Sequence, residues 1–180
     1  MSAFFTLPIP ELETQRLVLR APREKDFEAH AEFMASDRAA FVGGPQNRSE
    51  AWRGFCSSLG HWMMRGYGMW LVAEKKTDAP LGRVGFIYHE GWDEPELGWH
   101  VYATAEGKGY AFEAARAARA FGAQEYKLDG VISYIRPHNA RSAALAERLG
   151  ATHECDRVFF GKPCQIWRHP LENTPEGGAA

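Results

Sequence analysis

The run ELGWHVYATAEGKGYAFEAA, Glu96 to Ala115, constrains this chain more than any other part of it. Pro95 to Tyr102 reads as a strand and Ala111 to Phe121 as an alanine-rich helix, with Gly107 and Gly109 directly before the helical run. Glycine weakens a helix by about 1 kcal/mol relative to alanine. This helix start therefore asks for bare backbone, either for a positive-φ turn or for the close approach of a ligand. The unpaired N–H groups and the positive dipole end at a helix start suit a phosphate or pyrophosphate, and Lys108 adds a positive charge. GKGYAF lacks the Lys-Ser/Thr ending of a P-loop and the third glycine of a dinucleotide fingerprint. On the triplet alone, the turn and the anion site both stand.

A second constellation follows in SYIRPHNARSAALAERLGA, Ser133 to Ala151. A strand, Val131 to Ile135, passes through a proline turn into a helix, Asn139 to Leu149, that is ended by Gly150. Asn139 and Ser142 lie three residues apart and so share a face of that helix. Taken as structure only, Asn139 is an N-cap and Ser142 a solvent-facing hydroxyl.

The rest of the chain fits around these segments. TQRLVLR, Thr14 to Arg20, alternates like a strand. Two helices are expected next, Lys25 to Ala35 and Ser49 to Arg65 with Ser49 as N-cap, separated by the loop FVGGPQNR. Met69 to Glu74 and Arg83 to Tyr88 read as antiparallel strands joined by TDAPLG, and Arg157 to Arg168 as a closing hairpin around GKPC. This order predicts an α+β fold with a mixed, mostly antiparallel central sheet flanked by helices. The expected organisation is an N-terminal extension over 1–12, one domain over 13–171 and a flexible tail over 172–180.

A net charge of -2 over 180 residues gives no overall basic field for nucleic acid. No apolar run approaches the roughly 20 residues needed to cross a bilayer, and the N-terminus lacks signal-peptide features, so a cytoplasmic protein without membrane partners is expected. Cys56, Cys155 and Cys164 are odd in number and far apart, reading as reduced packing thiols rather than a disulfide or zinc framework. His89-Glu90 lacks the second histidine of HExxH, and no metal is expected.

With ETQRLVLRAP, PLGRVGF, ELGWHVYATAEGKGYAFEAA and IRPHNARSAALAERLGA in this order, the chain resembles the GCN5-related N-acetyltransferase superfamily over nearly its whole length. Within it the chain looks like the branch of ribosomal-protein N-terminal acetyltransferases. The resemblance implies acetyl-CoA as donor, bound in a cleft between two splayed strands. In the family a loop of Gln or Arg, two residues, Gly, one residue, and Gly or Ala holds the CoA pyrophosphate on backbone amides. Here that loop is Thr104 to Gly109, with Thr104 departing from the first position. Carried over residue by residue, the cofactor-binding set is Trp99, His100, Val101, Thr104, Gly107, Lys108, Gly109, Tyr110, Ala111, Asn139 and Ser142. The strand backbone near Trp99 to Val101 would pair with the pantetheine arm and polarise the acetyl carbonyl.

Acetyl transfer to an amine needs a base, a polarised carbonyl and a proton for the leaving thiolate. Strand alternation puts Glu94, Glu96, Gly98 and His100 on one face, and the family commonly uses a glutamate here, so Glu96 is the expected catalytic base and His100 the second candidate. Many family members place a tyrosine after the leucine of the last helix as acid. Here Leu145 is followed by Ala146, leaving Ser142 or water to protonate the thiolate, whose ordinary pKa is about 8.5.

The acceptor pocket of the family lies between the two early helices and the sheet, where Phe41, Trp52, Phe55, Trp62, Met63, Met64, Tyr67 and Trp70 fall. Most of these are expected in the core. A primary amine of a small molecule or of a peptide N-terminus fits the charge balance. Two competing classes stand beside the enzyme: a non-catalytic acyl-CoA sensor on the same fold, and an unrelated phosphate-binding domain. A homodimer is compatible with the exposed closing strands.

Overall fold

The computed structural model describes residues 8–172. The expected extension 1–12 falls outside it in its first seven positions, and the expected tail 172–180 in all but Glu172. Among the described residues, eight strands form one sheet: β1 Leu12–Glu13, β2 Leu17–Arg20, β3 Met69–Glu74, β4 Pro80–Ile87, β5 Glu96–Val101, β6 Ile132–Ile135, β7 Thr152–Phe159 and β8 Lys162–Arg168. The spatial order is β1-β2-β3-β4-β5-β6-β8-β7, antiparallel throughout except where β5 meets β6. This is the mixed α+β architecture expected from the sequence.

Four helices cover the sheet: α1 Phe27–Ala35, α2 Arg48–Arg65, α3 Tyr110–Glu125 and α4 Ala140–Arg148. On one face α1 and α2 bury Phe27, Ala31, Phe33, Met34 and Phe55 together with Tyr102. On the other face α3 packs Ala114, Ala115 and Ala118 against Trp70, Val84, Phe86 and Leu97, and Leu149 at the end of α4 joins the same cluster. Burial of a large apolar side chain such as Phe86 or Leu97 contributes about 1.5–3 kcal/mol, and the helices supply little without that apolar face.

Several boundaries differ from the sequence expectation. The N-cap of α2 is Asn47, not Ser49: Asn47 Oδ1 accepts from Glu50 N at 3.0 Å while the Glu50 carboxylate accepts from Asn47 N at 2.9 Å. That reciprocal pair starts the helix two residues earlier than a lone serine would. Strand β4 begins at Pro80, because Pro80 to Gly82 already pair with β3. Helix α3 runs on to Glu125, and β7 begins at Thr152. Cys164 is buried, but Cys56 and Cys155 are exposed, so only one of the three thiols packs; all three are free. No helix among the described residues is long and apolar enough to cross a membrane.

Candidate active site

The site is built where the sheet stops being continuous. Strands β5 and β6 run parallel, and they register only at Glu96 with Ile132. Just beyond that pair, Tyr134 N donates to Glu96 Oε2 at 2.9 Å, and Leu97 C=O accepts from Ser133 Oγ at 2.6 Å. Two side chains thus take backbone groups at the point where a regular ladder would continue, and the strands diverge. Ser133 is itself held by His169, whose Nε2 lies 3.0 Å from Ser133 Oγ. Arg119 Nη1 is 3.4 Å from His169 Nδ1, so Nδ1 accepts and Nε2 donates. Burial first, and then the charge of Arg119, holds His169 down at about 4, in keeping with a neutral ring. Neither Ser133 nor His169 stood out in the sequence, because 36 residues separate them.

Past the divergence, no described strand pairs with the edge of β5 that faces β6. Leu97 C=O accepts from Ser133 on this edge, and Val101 C=O accepts from Arg38 Nη2 at 3.4 Å. By strand alternation the backbone groups of Trp99 emerge on the same edge. A cavity of about 830 Å³ lies along it, lined by Trp99, His100 and Val101, by Gly107, Gly109, Tyr110 and Ala111, and by Asn139 and Ser142 across the gap. Of the residues carried over from the family pattern, Thr104 and Lys108 lie outside this lining; both are exposed, Thr104 within a 3-10 turn.

The glycines make a positive-φ turn and leave the loop backbone bare beside the cavity. Gly107 has φ 73° and Gly109 φ 77°, the left-handed region that side chains disfavour. A Cβ at Gly107 would meet nothing within 4 Å, so the bare backbone also borders open space in the cavity. Gly109 is the N-cap of α3 and supplies no side-chain cap, which leaves the first N–H groups of α3 for an external acceptor. The loop is fixed from behind. Arg16 Nη1 donates to Lys108 C=O at 2.9 Å, Arg16 Nε meets Glu113 Oε2 at 2.7 Å, and the guanidinium carbon sits 4.6 Å from the Tyr110 ring centroid. Across the cavity, Glu106 bridges Arg38 and Arg141, joining the loop to α4. These features fit a diphosphate-bearing ligand such as coenzyme A.

Asn139 is the N-cap of α4, accepting from Ser142 N at 3.2 Å. Asn139 and Ser142 also line a second cavity, of about 440 Å³, which lies on the α1/α2 side of the sheet. The two cavities share Phe41, Val42, Trp99, His100, Asn139 and Ser142, so they meet at the break in the sheet. Glu96, Gly98 and Arg83 line the second cavity from the sheet, and Tyr134 and Phe159, stacked at 4.1 Å, form an aromatic wall. Of the aromatic and methionine side chains expected here, Phe41 lines both cavities, while Phe55, Trp62 and Trp70 are core. Trp52, Met63 and Met64 are exposed, outside both core and cavities.

Glu96 is buried, and desolvation pushes its carboxyl up to about 7 despite the bond from Tyr134 N. One oxygen takes that bond; a Cβ on Gly98 would come within 3.4 Å of the other. Gly98 thus keeps space beside Glu96 Oε1. His100 sits on the same strand face but stacks on Phe33 at 4.7 Å. Burial, with the nearby charge of Arg83, holds its ring well below the ordinary histidine value. Ala146 is fully buried among Ile135, Ala151 and Trp167 and presents no proton donor. Among the described residues no group of three or more His, Cys, Asp or Glu side chains gathers at metal-binding range.

A sequence-family model described as an acetyltransferase (GNAT) domain matches residues 16–152. An acetyltransferase from Agrobacterium tumefaciens has the same architecture at a TM-score of 0.82 and 36% identity, over 94% of this chain and 98% of that one. A GnaT-family acetyltransferase from Bordetella pertussis follows at 0.76 and 25% identity, over 89% and 99% of the two chains. A ribosomal-protein-serine acetyltransferase from Vibrio cholerae shares the fold at 0.74 and 23% identity, over 91% of this chain and 98% of that one. The YkkB protein of Bacillus subtilis is 30% identical over 59% of this chain. The match spans 60% of YkkB and 52% of a second B. subtilis relative, the N-acetyltransferase YnaD. The break in the sheet, the glycine loop at the start of α3 and the matched domain agree: the chain belongs to the GNAT family of acetyltransferases.

Proposed function

We propose that this chain transfers the acetyl group of acetyl-CoA to a primary amine by direct attack, with both substrates bound at once, through residues 13–171. The observation that carries this reading is the meeting of two cavities at Trp99, His100, Asn139 and Ser142, with Glu96 in the wall of one and the glycine loop in the wall of the other. Acetyl-CoA supplies an activated acyl group as a thioester. A ribosomal L7/L12 α-N-protein acetyltransferase that shares this fold at 17% identity was solved with coenzyme A, which supports that donor.

The amides of Gly107 to Ala111 and the start of α3 bind the diphosphate, where the dipole and unpaired N–H groups favour an anion. The backbone of Trp99 to Val101 pairs with the extended arm as a strand partner would and donates to the carbonyl oxygen as charge develops there. Asn139 and Ser142 close the opposite wall. Glu96 takes a proton from the incoming ammonium, and a carboxyl with a value of about 7 suits a general base at neutral pH. His100 is the weaker base, since burial beside Arg83 disfavours its protonated form. Ser142 or water delivers a proton to the departing sulfur.

The buried Ala146, where many family members carry a tyrosine, favours a second reading, an acyl-CoA sensor without turnover. A screen of primary amines with purified protein separates the two, detecting both free thiol and acetylated product. Amine-dependent thiol release supports the enzyme; saturable acetyl-CoA binding with no acetylated product from any amine supports the sensor.

A further inference from the structure

Arg83 lies on β4, opposite His100 of β5, in the wall of the 440 Å³ cavity. It is 4% exposed. Its Nε and Nη2 are buried without a hydrogen-bond partner, and no described residue forms an ion pair with it. The groups around it are polar and likewise unfilled: His30 Nδ1, His100 Nε2 and Tyr102 OH are buried with no partner. The Phe55 ring lies 5.9 Å from its guanidinium carbon. Of the buried carboxylates, Asp26 is already held at both oxygens by Arg20, at 2.8 and 3.0 Å, and Glu96 accepts from Tyr134 N. Both histidines are held below their ordinary values by burial and by Arg83 itself, so neither adds a balancing charge.

A guanidinium stays protonated at physiological pH, and a buried charge with unmade hydrogen bonds is among the most costly arrangements a fold can keep. Its planar fork matches a carboxylate at two points. Glu96 faces the same cavity four strand residues away, opposite Ile87, about 13 Å along β5 at 3.3 Å per residue. The acetyl group would enter between them, where the cavities join.

Resting on the acetyltransferase reading above, we infer that the amine acceptor carries a carboxylate several bonds from its amine, and that Arg83 binds this carboxylate while Glu96 receives the amine. A polyamine would bring a second cation to Arg83. The recognised carboxylate belongs either to a small amino acid with separated ends or to an acidic side chain near a peptide N-terminus.

The test uses ω-amino carboxylates of two to five methylenes, their matched carboxamides, and a Ser-Glu against a Ser-Gln dipeptide amide. Each is titrated by calorimetry into the coenzyme A-saturated chain and assayed for acetylation. At least one carboxylate should bind at least tenfold more tightly than its amide, and Arg83→Met should bring that ratio within about twofold while keeping the affinity for coenzyme A. Preference within the ω-amino series points to a small molecule, and preference confined to the dipeptides to a peptide end. Equal binding of every pair to the wild-type chain overturns the inference without any variant, as does a preference that survives Arg83→Met. Acetylation of amines with no carboxylate preference sinks the inference and leaves the acetyltransferase reading. Carboxylate binding that depends on Arg83, with no amine acetylated, sinks that reading and retains the anion site.

Discussion

Replacing Glu96 by glutamine should stabilise the chain in a pH-dependent way while removing its turnover. The carboxyl stands at about 7 in the fold against an ordinary 4.5, because burial penalises its charged form. A raised carboxyl binds its proton more tightly folded than unfolded. Folding therefore takes up a proton between these two values, and stability falls as pH rises through them. At about 1.36 kcal/mol per decade, this group costs the fold about 1 kcal/mol at pH 5 and about 3 kcal/mol at pH 8. Glutamine keeps an oxygen for Tyr134 N and has no charge to desolvate, so it escapes that loss. The buried histidines act in the opposite sense. His30 and His169, both lowered to about 4, contribute stability above the unfolded value that is lost as pH falls toward 4. They are common to both proteins and cancel in the difference. Melting curves of the two proteins should thus differ by about 2–4 °C at pH 5 and by about 6–12 °C at pH 8, with the variant higher, at about 2–4 °C per kcal/mol for a chain of this size. A gap that stays constant from pH 5 to 8 would mean that Glu96 is not desolvated as described, and would remove the physical basis for its role as a base.

Further consequences concern the loop and the break in the sheet. Gly109→Val puts a β-branched side chain at φ 77°, and should lower stability by about 1–3 kcal/mol and coenzyme A affinity at least tenfold by calorimetry; retained affinity would make the loop a turn only. Arg16→Ala removes the clamp on Lys108 C=O and Glu113, and should weaken coenzyme A binding several-fold with little change in melting temperature, since the arginine is partly exposed. Ser133→Ala strips Leu97 C=O and His169 of a partner at a buried site, and should cost about 1–3 kcal/mol in denaturant unfolding. An unchanged midpoint would mean that another group takes over that bond.

The reach of the sequence follows the range of the interactions. Elements set by local periodicity and chemistry were legible: the strand, glycine loop and helix from Glu96 to Ala115 appear as β5, the positive-φ turn and α3. Asn139 and Ser142 were legible as a pair because three residues put them on one helical face. The α2 start was missed because a reciprocal pair between Asn47 and Glu50 outcompetes Ser49 as a lone cap. What closes the site was not legible. Ser133, His169 and Arg119 meet across 36 and 50 residues, and Arg83 meets His100 only through the β4–β5 register. Nor does a sequence show that Arg83 lacks a carboxylate, because that is a property of the packed neighbourhood. Lys108 looked useful for its charge, yet it is its backbone carbonyl, held by Arg16, that engages the rest of the fold.

The central claim is that Glu96, in the wall of the 440 Å³ cavity, accepts the proton of an amine undergoing acetylation. The pH profile of kcat/KM for an acetylated amine, measured for the wild-type chain and for Glu96→Gln, tests it most directly. The wild-type profile should inflect near 7, as the carboxyl becomes ionised. The variant should lack that inflection and fall by about 100-fold or more at pH 8, with affinity for acetyl-CoA retained. Superimposable profiles for the two proteins would contradict the account.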